Sequence, residues 1–426
     1  MGDYFQNGPI TTLHDFGLRT NEDLEADLVR WSKTRPMSLI IPSLFSELKG
    51  PALDHIVDEL AQVPYLDQII IGLDQATEEE FHEAREFFAR LPQSTRILWN
   101  GGPRLRALDA LFEEHAIAPT EEGKGRNVWY CMGYFLASGR GEILGLHDAD
   151  IVTYDRAMVS RLFYPVVHPT FGYSFSKGYY FRTDGERLNG RVVRLLVTPL
   201  IRALRQCLGE NDYLDYLDSF RYPLAGEFAM HINVVRNIRV PSDWGLEIGV
   251  LSEVHRRYTT QRICQVDLAG AYDHKHQQVS SEDPTTGLHK MSRDITKAMF
   301  RKLAIGGEVL SPEIFRSIKA SYYRNALDMV ERYGNLAIMN GLNFDSHSEE
   351  QLVEVFAQSI VEAGEDYINY PMESPFISSW ARVQSAVPDA FEKLLAAVEA
   401  DHSDCCLLYT SPSPRDATLS RMPSSA

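Results

Sequence analysis

The alternation of short apolar runs with helical segments, which continues to Asp150, constrains this fold more than any other feature. The apolar runs are residues 38–42, 68–74, 96–99 and 142–146, and the helical segments between them are residues 53–60, 78–91, 105–115 and 128–138. Strands that alternate with helices of this length predict parallel β-α-β units and a doubly wound α/β sheet. Such sheets bind ligands at the carboxyl ends of their strands. The acids that directly follow the fourth run are therefore the first candidates for a site.

Three other stretches depart from this pattern. Residues 1–36 are expected to form a short helical lead-in, since Leu24, Leu28 and Trp31 stand at helical spacing. Residues 37–284 are expected to form the α/β domain, and amphipathic helices follow at 285–405, which predicts a C-terminal helical region. Residues 406–426 read CLLYTSPSPRDATLSRMPSSA, the translation of a common sequencing adapter, and are excluded from the fold as not native. A natural disordered tail is the alternative.

Charge and composition exclude several classes of function. The formal charge of −17 at pH 7 repels polyanions, so general binding to nucleic acid or to an anionic membrane is not expected. The sequence has no apolar run long enough to cross a membrane and no secretory signal pattern at its start. Cys131, Cys207 and Cys264 stand without paired spacing, and a reducing cytoplasm fits them best.

The central chemical signal is Asp148-Ala149-Asp150, which follows an apolar strand. Two carboxylates separated by one residue can hold Mg²⁺ or Mn²⁺ while the ion bridges a diphosphate. A solvated loop is the alternative, and the position after a strand favours the metal site. His274 and His276 follow another strand-like run, and a neutral imidazole is a good third ligand for such an ion. Ordinary surface or core histidines are the alternative.

Two basic segments could hold phosphate groups. Lys124 lies in a GKGR turn before a helix expected to begin near Asn127, where glycines allow close approach and the helix start favours an anion. Residues 177–194 hold five basic residues and two acids, and within them Gly190 and Arg191 open a second helix. A cation in a first helical turn is unfavourable unless an anion lies beside it. Solvated basic turns are the alternative for both segments.

Small residues adjoin carboxylates in two further places, LAGE and SDWGLE. The first holds Gly226 and Glu227, and the second holds Asp243 and Glu247. Small residues let a sugar approach the backbone, and carboxylates can accept paired hydrogen bonds from sugar hydroxyls. A salt bridge is the alternative for Glu247.

Taken in order, these segments resemble the glucosyl-3-phosphoglycerate synthases and, more distantly, the mannosylglycerate synthases. The matching pieces are SLIIPSL, IIIGLD, GKGRN, HDADI, SKGYYFR, NGRVVRLLVTPLIRAL, PLAGEFAM, DWGLEIGVL and ICQVDLAGAYDHKHQ, which are collinear over about residues 38–277. The resemblance implies an α/β fold of the GT-A type, a Rossmann-like nucleotide-diphospho-sugar transferase domain. It also implies dependence on Mg²⁺ and retention at the anomeric carbon.

The resemblance further implies roles for individual residues. For the donor it gives Pro42 and Ser43 at the uracil or ribose, Lys124 and Asp148 at the nucleotide and Glu247 at the sugar hydroxyls. Asp74, Gly226, Glu227 and Asp243 are expected to bind substrate as well. For the metal it gives Asp150 and His274, with Asp148 as a further candidate. For the acceptor it gives Gly190 and Arg191 at a phosphate, with His276 nearby. Asp150, Lys124, Glu247 and Arg191 are expected to carry catalysis.

The expected activity is therefore a metal-dependent, retaining transfer of glucose from a nucleoside diphosphate, such as UDP-glucose, to the 2-hydroxyl of 3-phosphoglycerate, in a route to glucosylglycerate. The expected partners are the nucleotide-sugar donor and a small anionic acceptor. The chain is also expected to form a homodimer through its C-terminal helices. Val193 stands where the family has a threonine. This departure weakens the argument for phosphoglycerate, as opposed to glycerate, as the acceptor. The alternatives are a mannosylglycerate synthase or related hexosyltransferase, a nucleotidyltransferase and a non-catalytic nucleotide-sugar-binding scaffold, and UDP and GDP both stay open.

Overall fold

The computed structural model of the protein describes residues 6, 8–119, 121–242, 245–273, 287–370 and 376–408, with side chains up to residue 403. Its strands are β1 (Thr11–Leu13), β2 (Met37–Leu44), β3 (Leu66–Asp74), β4 (Ser94–Trp99), β5 (Ile143–Leu146), β6 (Phe175–Arg182), β7 (Phe228–His231), β8 (Val240–Pro241), β9 (Ile263–Tyr272) and β10 (Phe376–Ile377). The strands predicted at 38–42, 68–74, 96–99 and 142–146 are all present as β2 to β5.

Eight of these strands form one sheet in the order β1-β9-β6-β7-β5-β2-β3-β4. Neighbours are parallel throughout, except that β7 runs antiparallel to both β5 and β6. The sheet is therefore mixed, where the alternation predicted parallel units alone. Because β7 is reversed, its first residue, Phe228, lies beside the last residue of β5, Leu146.

The helices are α1 (Asn21–Ser32), α2 (Pro51–Ala61), α3 (Glu78–Phe88), α4 (Pro103–Glu114), α5 (Lys124–Ser138), α6 (Arg156–Val167), α7 (Thr198–Leu208), α8 (Asp212–Asp218), α9 (Ile232–Asn237), α10 (Leu246–Arg257), α11 (Gly287–Ile305), α12 (Pro312–Met339), α13 (Ser346–Asn369), α14 (Trp380–Ala386) and α15 (Ala390–Leu408). Short 3₁₀ turns occur at Phe45–Lys49 and Thr260–Arg262, and a π-helical turn at Val192–Val197. Local signals set several ends; Thr77 and Glu80, for example, form a reciprocal capping box that starts α3. None of the described helices is long and apolar enough to span a membrane.

Both faces of the sheet are buried, which explains why its strands are apolar without alternation. On β2, Ile40 packs into one core, and Leu39 and Ile41 pack into the other. On β3, Ile70 belongs to the first core, while its two neighbours belong to the second. The helices predicted between the strands supply the two covering layers.

The regions outside the alternating pattern also pack on the sheet. The lead-in contains the predicted helix, α1, but it also contains β1, which pairs with β9 and was not predicted. In the C-terminal region α11, α12 and α13 pack together, and α12 lies along α7. From α15, Glu399 reaches Arg96 of β4 at 3.0 Å. The boundaries at 36, 284 and 405 stay predictions, and α15 continues three residues past 405 into the stretch that was excluded from the fold.

Candidate active site

The site lies at the edge where the strands end. The reversed β7 sits between β5 and β6, so Glu227 directly before β7 adjoins the residues that directly follow β5. Those residues are His147, Asp148, Ala149 and Asp150, and they form a turn. The sheet topology thus brings together two acidic segments that lie far apart in the sequence.

Lys124 joins three of the predicted residues in one cluster. The helix α5 begins at Lys124 itself and not near Asn127 as predicted. The Nζ atom of Lys124 lies 2.7 Å from Asp148 Oδ1 and 3.1 Å from Glu247 Oε1. Burial lowers the pKa of Lys124, but the two carboxylates outweigh burial and raise the pKa above its ordinary value. The ammonium is therefore held charged at the start of a helix, where an anion is favoured.

Two glycines allow this cluster to close. At Gly226 a Cβ atom would overlap the carboxylate of Asp148. At Gly125 a Cβ atom would overlap the carbonyl oxygen of Pro241, so the start of α5 lies directly against β8. Gly226 thus lets the Asp148 carboxylate approach the backbone, and its predicted contact with a sugar stays a prediction.

Negative charge accumulates around Asp150. Burial, followed by the charge of Asp148, raises the pKa of Asp150 to about 7, although Lys124 acts in the opposite direction. Glu47 and Glu227 add smaller increases, so three other carboxylates act on Asp150 in this corner. A set of oxygen donors with excess negative charge suits a hard divalent cation such as Mg²⁺ or Mn²⁺. Asp148 and Asp150 therefore offer two oxygen ligands of the right kind for the predicted metal, and the described residues include no group of three or more His, Cys, Asp or Glu side chains that could hold the ion without a further ligand.

The end of β9 reaches the same turn. The backbone N–H of Val152 donates to the carbonyl oxygen of Asp273 at 2.9 Å, and the N–H of Asp273 donates to Thr153 Oγ1 at 3.0 Å. Asp273 is the last described residue before His274. His274, His276 and Asp243 lie outside the described residues, so their predicted roles stay predictions.

Glu227 is buried and belongs to a group of tyrosines. Its carboxylate accepts hydrogen bonds from Tyr180 at 2.8 Å and from Tyr272 at 2.7 Å, and the two rings stack at 3.6 Å. Burial and the charge of Asp148 raise the pKa of Glu227. Tyr222 packs against Tyr180 and accepts a hydrogen bond from Arg182 at 3.1 Å. These contacts make Glu227 a support of the site, and its contact with a sugar stays a prediction.

Gly190 and Arg191 lie on the other side of these tyrosines. Gly190 has a left-handed backbone with φ of +73°, and a Cβ there would meet Arg182 and Tyr222 at 3.3 Å. Arg191 follows at the start of the π-helical turn and is about one-third exposed. An arginine on this side can meet an anionic group that enters from solvent.

Three predicted residues lie at neighbouring strand ends without joining the Lys124 cluster. Pro42 and Ser43 close β2, and Ser43 pairs in register with the residue before Asp74 of β3. The Ser43 hydroxyl donates to the Leu44 carbonyl at 2.9 Å, and Asp74 accepts from the N–H of Gln75 at 2.9 Å. Their placement at this edge is compatible with a nucleotide site, and their contacts with one stay a prediction.

Lys177 belongs to the basic segment at residues 177–194, but no role was predicted for this lysine itself, and it lies on β6 without exposed surface. Its Nζ donates to the carbonyl oxygen of Ala225 and lies 5.4 Å from the centre of the Phe228 ring. Burial lowers the pKa of Lys177 to about 8. Lys177 therefore fixes the loop that carries Gly226 and Glu227. A lysine within an apolar strand, FSKGYYF, was the available signal.

No family model matches the sequence, but individual proteins do. The chain is 44% identical over 404 residues to a glucosyl-3-phosphoglycerate synthase of Persephonella marina, which spans 95% of this chain and 100% of that protein. It is 39% identical over 408 residues to a glucosyl-3-phosphoglycerate synthase of Methanococcoides burtonii, and this match covers 95% of this chain and 99% of that protein.

Solved structures agree on the fold. The crystal structure of glucosyl-3-phosphoglycerate synthase from Mycobacterium tuberculosis in complex with Mn²⁺, UDP-glucose and phosphoglyceric acid matches with a TM-score of 0.52. The match covers 70% of this chain and 88% of that chain at 23% identity. The structure of the same enzyme with Mg²⁺ and UDP matches with a TM-score of 0.51, covering 69% and 87% at 23% identity. The predicted α/β fold with a C-terminal helical region is thereby confirmed.

Proposed function

The chain belongs to the glucosyl-3-phosphoglycerate synthase family, and from that premise we propose that it transfers glucose from UDP-glucose to the 2-hydroxyl of 3-phosphoglycerate. The protein is a glycosyltransferase of the GT-A type. The names of its relatives support both the glucose donor and the phosphoglycerate acceptor. Retention at the anomeric carbon is part of the proposal.

One observation carries the proposal: the Lys124 ammonium lies between Asp148 and Glu247, beside the crowded carboxylate of Asp150. A diphosphate leaving group needs cations that are already in place, because fixed charges cost no reorganisation during the reaction. Lys124 supplies one such charge at the start of α5. In this arrangement Glu247 would bind the hydroxyls of the donor sugar. The nucleotide would lie beside Pro42, Ser43 and Asp74.

Asp150 and His274 would hold the divalent cation, with Asp148 as a further ligand. When bound, Mg²⁺ or Mn²⁺ neutralises negative charge on the donor diphosphate. The excess of carboxylates around Asp150 supports this assignment. The two hydrogen bonds between Asp273 and residues 152–153 support a role for the next residue, His274, at the same turn.

The acceptor would bind on the Gly190 side of the tyrosines. Arg191 holds the acceptor phosphate and so orients the 2-hydroxyl, which converts binding energy into position. Asp243 and His276 complete the proposed substrate contacts. The bond between the sugar C1 and the diphosphate oxygen breaks, and a bond from C1 to the acceptor oxygen forms on the same face. The hydroxyl proton passes to the departing diphosphate oxygen, so no separate strong base is required.

The cellular location and the oligomeric state complete the proposal. We place the enzyme in the cytoplasm, which fits unpaired cysteines such as Cys131 and Cys264. We also propose a homodimer through the C-terminal helices, supported by exposed apolar side chains near the end of α12, namely Leu336, Ile338 and Met339. Analytical ultracentrifugation measures the mass in solution, and a sedimenting monomer at micromolar concentration would remove the dimer from the proposal.

Mass analysis of the products tests the activity. The protein is incubated with Mg²⁺ and either UDP-glucose, GDP-glucose or GDP-mannose, together with either 3-phosphoglycerate or glycerate. We expect UDP and a glucosylated phosphoglycerate in equal amounts, and no product after the metal is chelated. Preferred use of GDP-mannose with glycerate would replace the proposed activity by that of a mannosylglycerate synthase, and preferred transfer of glucose to glycerate by that of a related hexosyltransferase. Release of pyrophosphate would indicate a nucleotidyltransferase.

A further inference from the structure

The segment that carries Gly190 and Arg191 leaves β6 and leads through the π-helical turn into α7. We call residues 183–197 the acceptor loop. A π-helical turn is rare and often marks a functional position, because its backbone is less stable than a regular helix. Gly190 adds a left-handed backbone to the same loop. A loop of this kind keeps its shape only where neighbouring residues hold it.

Arg194 holds the acceptor loop from the inside. Its side chain is buried, with 6% of its surface exposed. Its Nε donates to the carbonyl oxygen of Asn189 at 2.9 Å, and its Nη2 donates to that of Leu188 at 3.1 Å. The two residues directly before Gly190 are thus fixed by one guanidinium.

Glu349, near the start of α13, holds that guanidinium in turn. Its two carboxylate oxygens accept hydrogen bonds from Arg194 Nη1 at 2.7 Å and Nη2 at 3.2 Å. The carboxylate is itself nearly buried, and it also lies 3.8 Å from Nε of Arg191. Tyr333 of α12 packs its ring under the Arg194 guanidinium at 4.9 Å. A two-pronged pair of this kind fixes direction as well as distance.

The C-terminal helices make two more contacts with the acceptor loop. Tyr322 of α12 donates a hydrogen bond to the carbonyl oxygen of Leu195, inside the π-helical turn, at 2.7 Å. The backbone N–H of Asn343, between α12 and α13, donates to the carbonyl oxygen of Glu186 at 2.7 Å. The helical region therefore contacts the acceptor loop along most of its length.

We infer that Glu349 is a positioning residue for the acceptor: through Arg194 it fixes Gly190 and Arg191 in the conformation that binds the acceptor's anionic group. The inference rests on the proposed function, because it assigns that binding to Gly190 and Arg191. It gives the C-terminal helical region a part in acceptor recognition, and Glu349 itself does not contact the substrates.

Loss of the Glu349 charge has two opposite effects on acceptor binding. Arg191 would be less neutralised, which favours an anion, while Arg194 would lose its buried partner, which releases the loop. The contact with Arg191 is long, at 3.8 Å, and Arg191 itself is about one-third exposed, so its effect is small. The pair with Arg194 is buried, and breaking a buried pair leaves an uncompensated charge. Release of the loop therefore dominates, and acceptor binding weakens.

The test compares Glu349→Gln with Glu350→Gln, which removes the same charge from the next, exposed position of α13. We expect Glu349→Gln to raise the KM for 3-phosphoglycerate about tenfold, and to leave the KM for UDP-glucose within about twofold, because only the acceptor loop shifts. Glu350→Gln should leave both values unchanged. An unchanged acceptor KM in folded Glu349→Gln, or an equal rise in the two KM values, would overturn the inference.

A second variant covers loss of folding. In Arg194→Met/Glu349→Met both charges are removed together, which commonly leaves stability near that of the parent protein. Its thermal midpoint should stay close to that of the wild type, while the acceptor KM remains raised. A wild-type acceptor KM in this variant would overturn the inference. If the wild type uses only glycerate, the proposed function fails, and the same comparison with glycerate still tests Glu349.

Discussion

The donor side and the acceptor side of this site are built in different ways. On the donor side, Asp148 and Glu227 stand at the ends of neighbouring strands, and Lys124 begins a helix packed on the same sheet. On the acceptor side, Gly190 and Arg191 lie on a loop that α12 and α13 hold. The donor side carries excess negative charge, and the acceptor side presents arginines. Under the proposed function, the first side therefore requires a metal cation, whereas the second is expected to bind an anion directly.

The largest expected effect is at Asp150. Asp150→Asn keeps the shape of the side chain but removes a metal-binding charge, so turnover should fall about a thousandfold or more, the scale of losing a main electrostatic contribution. The measurement is kcat with saturating Mg²⁺. Asp155→Asn is the matched control, since asparagine also caps a helix well and Asp155 caps α6. Turnover within tenfold of the wild type in Asp150→Asn would remove Asp150 from the metal site.

Gly226→Ala tests whether the donor side depends on close approach. The new Cβ would overlap the Asp148 carboxylate, so Asp148 must shift and its contact with Lys124 must lengthen. We expect kcat to fall about a hundredfold, as for a displacement of about 1 Å in a catalytic group. Gly270→Ala is the control, because nothing lies within 4 Å of a Cβ at that position. Equal activity of the two variants would contradict the packing argument.

Arg191→Gln addresses the acceptor side alone. Loss of one charge-assisted contact to phosphate should raise the KM for 3-phosphoglycerate about tenfold. The KM for UDP-glucose should not change. Arg187→Gln removes the same charge from an exposed position of the acceptor loop and serves as the control. A larger change in the donor KM than in the acceptor KM would mean that the two sides have been assigned the wrong way round.

The smallest expected effect concerns stability, at Lys177 beneath the donor side. Its pKa falls from 10.5 to about 8 on folding, which corresponds to a penalty of about 3 kcal/mol for the charged form. Lys177→Met removes this penalty but also the hydrogen bond to Ala225, worth about 1–2 kcal/mol when its buried acceptor is left unpaired. We therefore expect the free energy of unfolding to rise by about 1 kcal/mol at pH 7, while activity falls.

The control is the pH dependence of the difference in unfolding free energy between Lys177→Met and the wild type. Below pH 8 the lysine is charged in both the folded and the unfolded state, so the full penalty is present. Between pH 8 and 10.5 the folded state loses the proton first, the unfolded state binds more protons, and wild-type stability rises relative to the variant. Denaturant unfolding at pH 7 and pH 9 measures both. A stability gain in Lys177→Met that grows with pH would contradict the account.

Sequence patterns indicated the proposed donor side more directly than the proposed acceptor side, for a physical reason. The apolar strand and the Asp148-Ala149-Asp150 segment that follows it are adjacent in the sequence. A few residues are therefore enough to predict both a buried strand and candidate metal ligands. The strand β1 has only three residues and no apolar pattern, so it could not be recognised. The antiparallel direction of β7 depends on long-range pairing, which alternation of strands and helices does not report.

The ion pair that supports the acceptor loop could not be predicted from the sequence, because it too depends on long-range contacts. Arg194 and Glu349 are separated by 155 residues, and nothing local marks either of them as a partner of the other. Lys177 was read as part of a basic segment because lysine is usually exposed. Its burial follows from the neighbouring strands, β7 and β9.

The central claim is that a divalent cation held at Asp150 completes the donor side. Titration calorimetry of UDP binding, with Mn²⁺ and after its chelation, tests it most directly in the wild type and in Asp150→Asn. We predict that UDP binds the wild type at least about tenfold more tightly with Mn²⁺, and that this gain disappears in Asp150→Asn. Equal UDP affinity with and without Mn²⁺ in the wild type would contradict the claim.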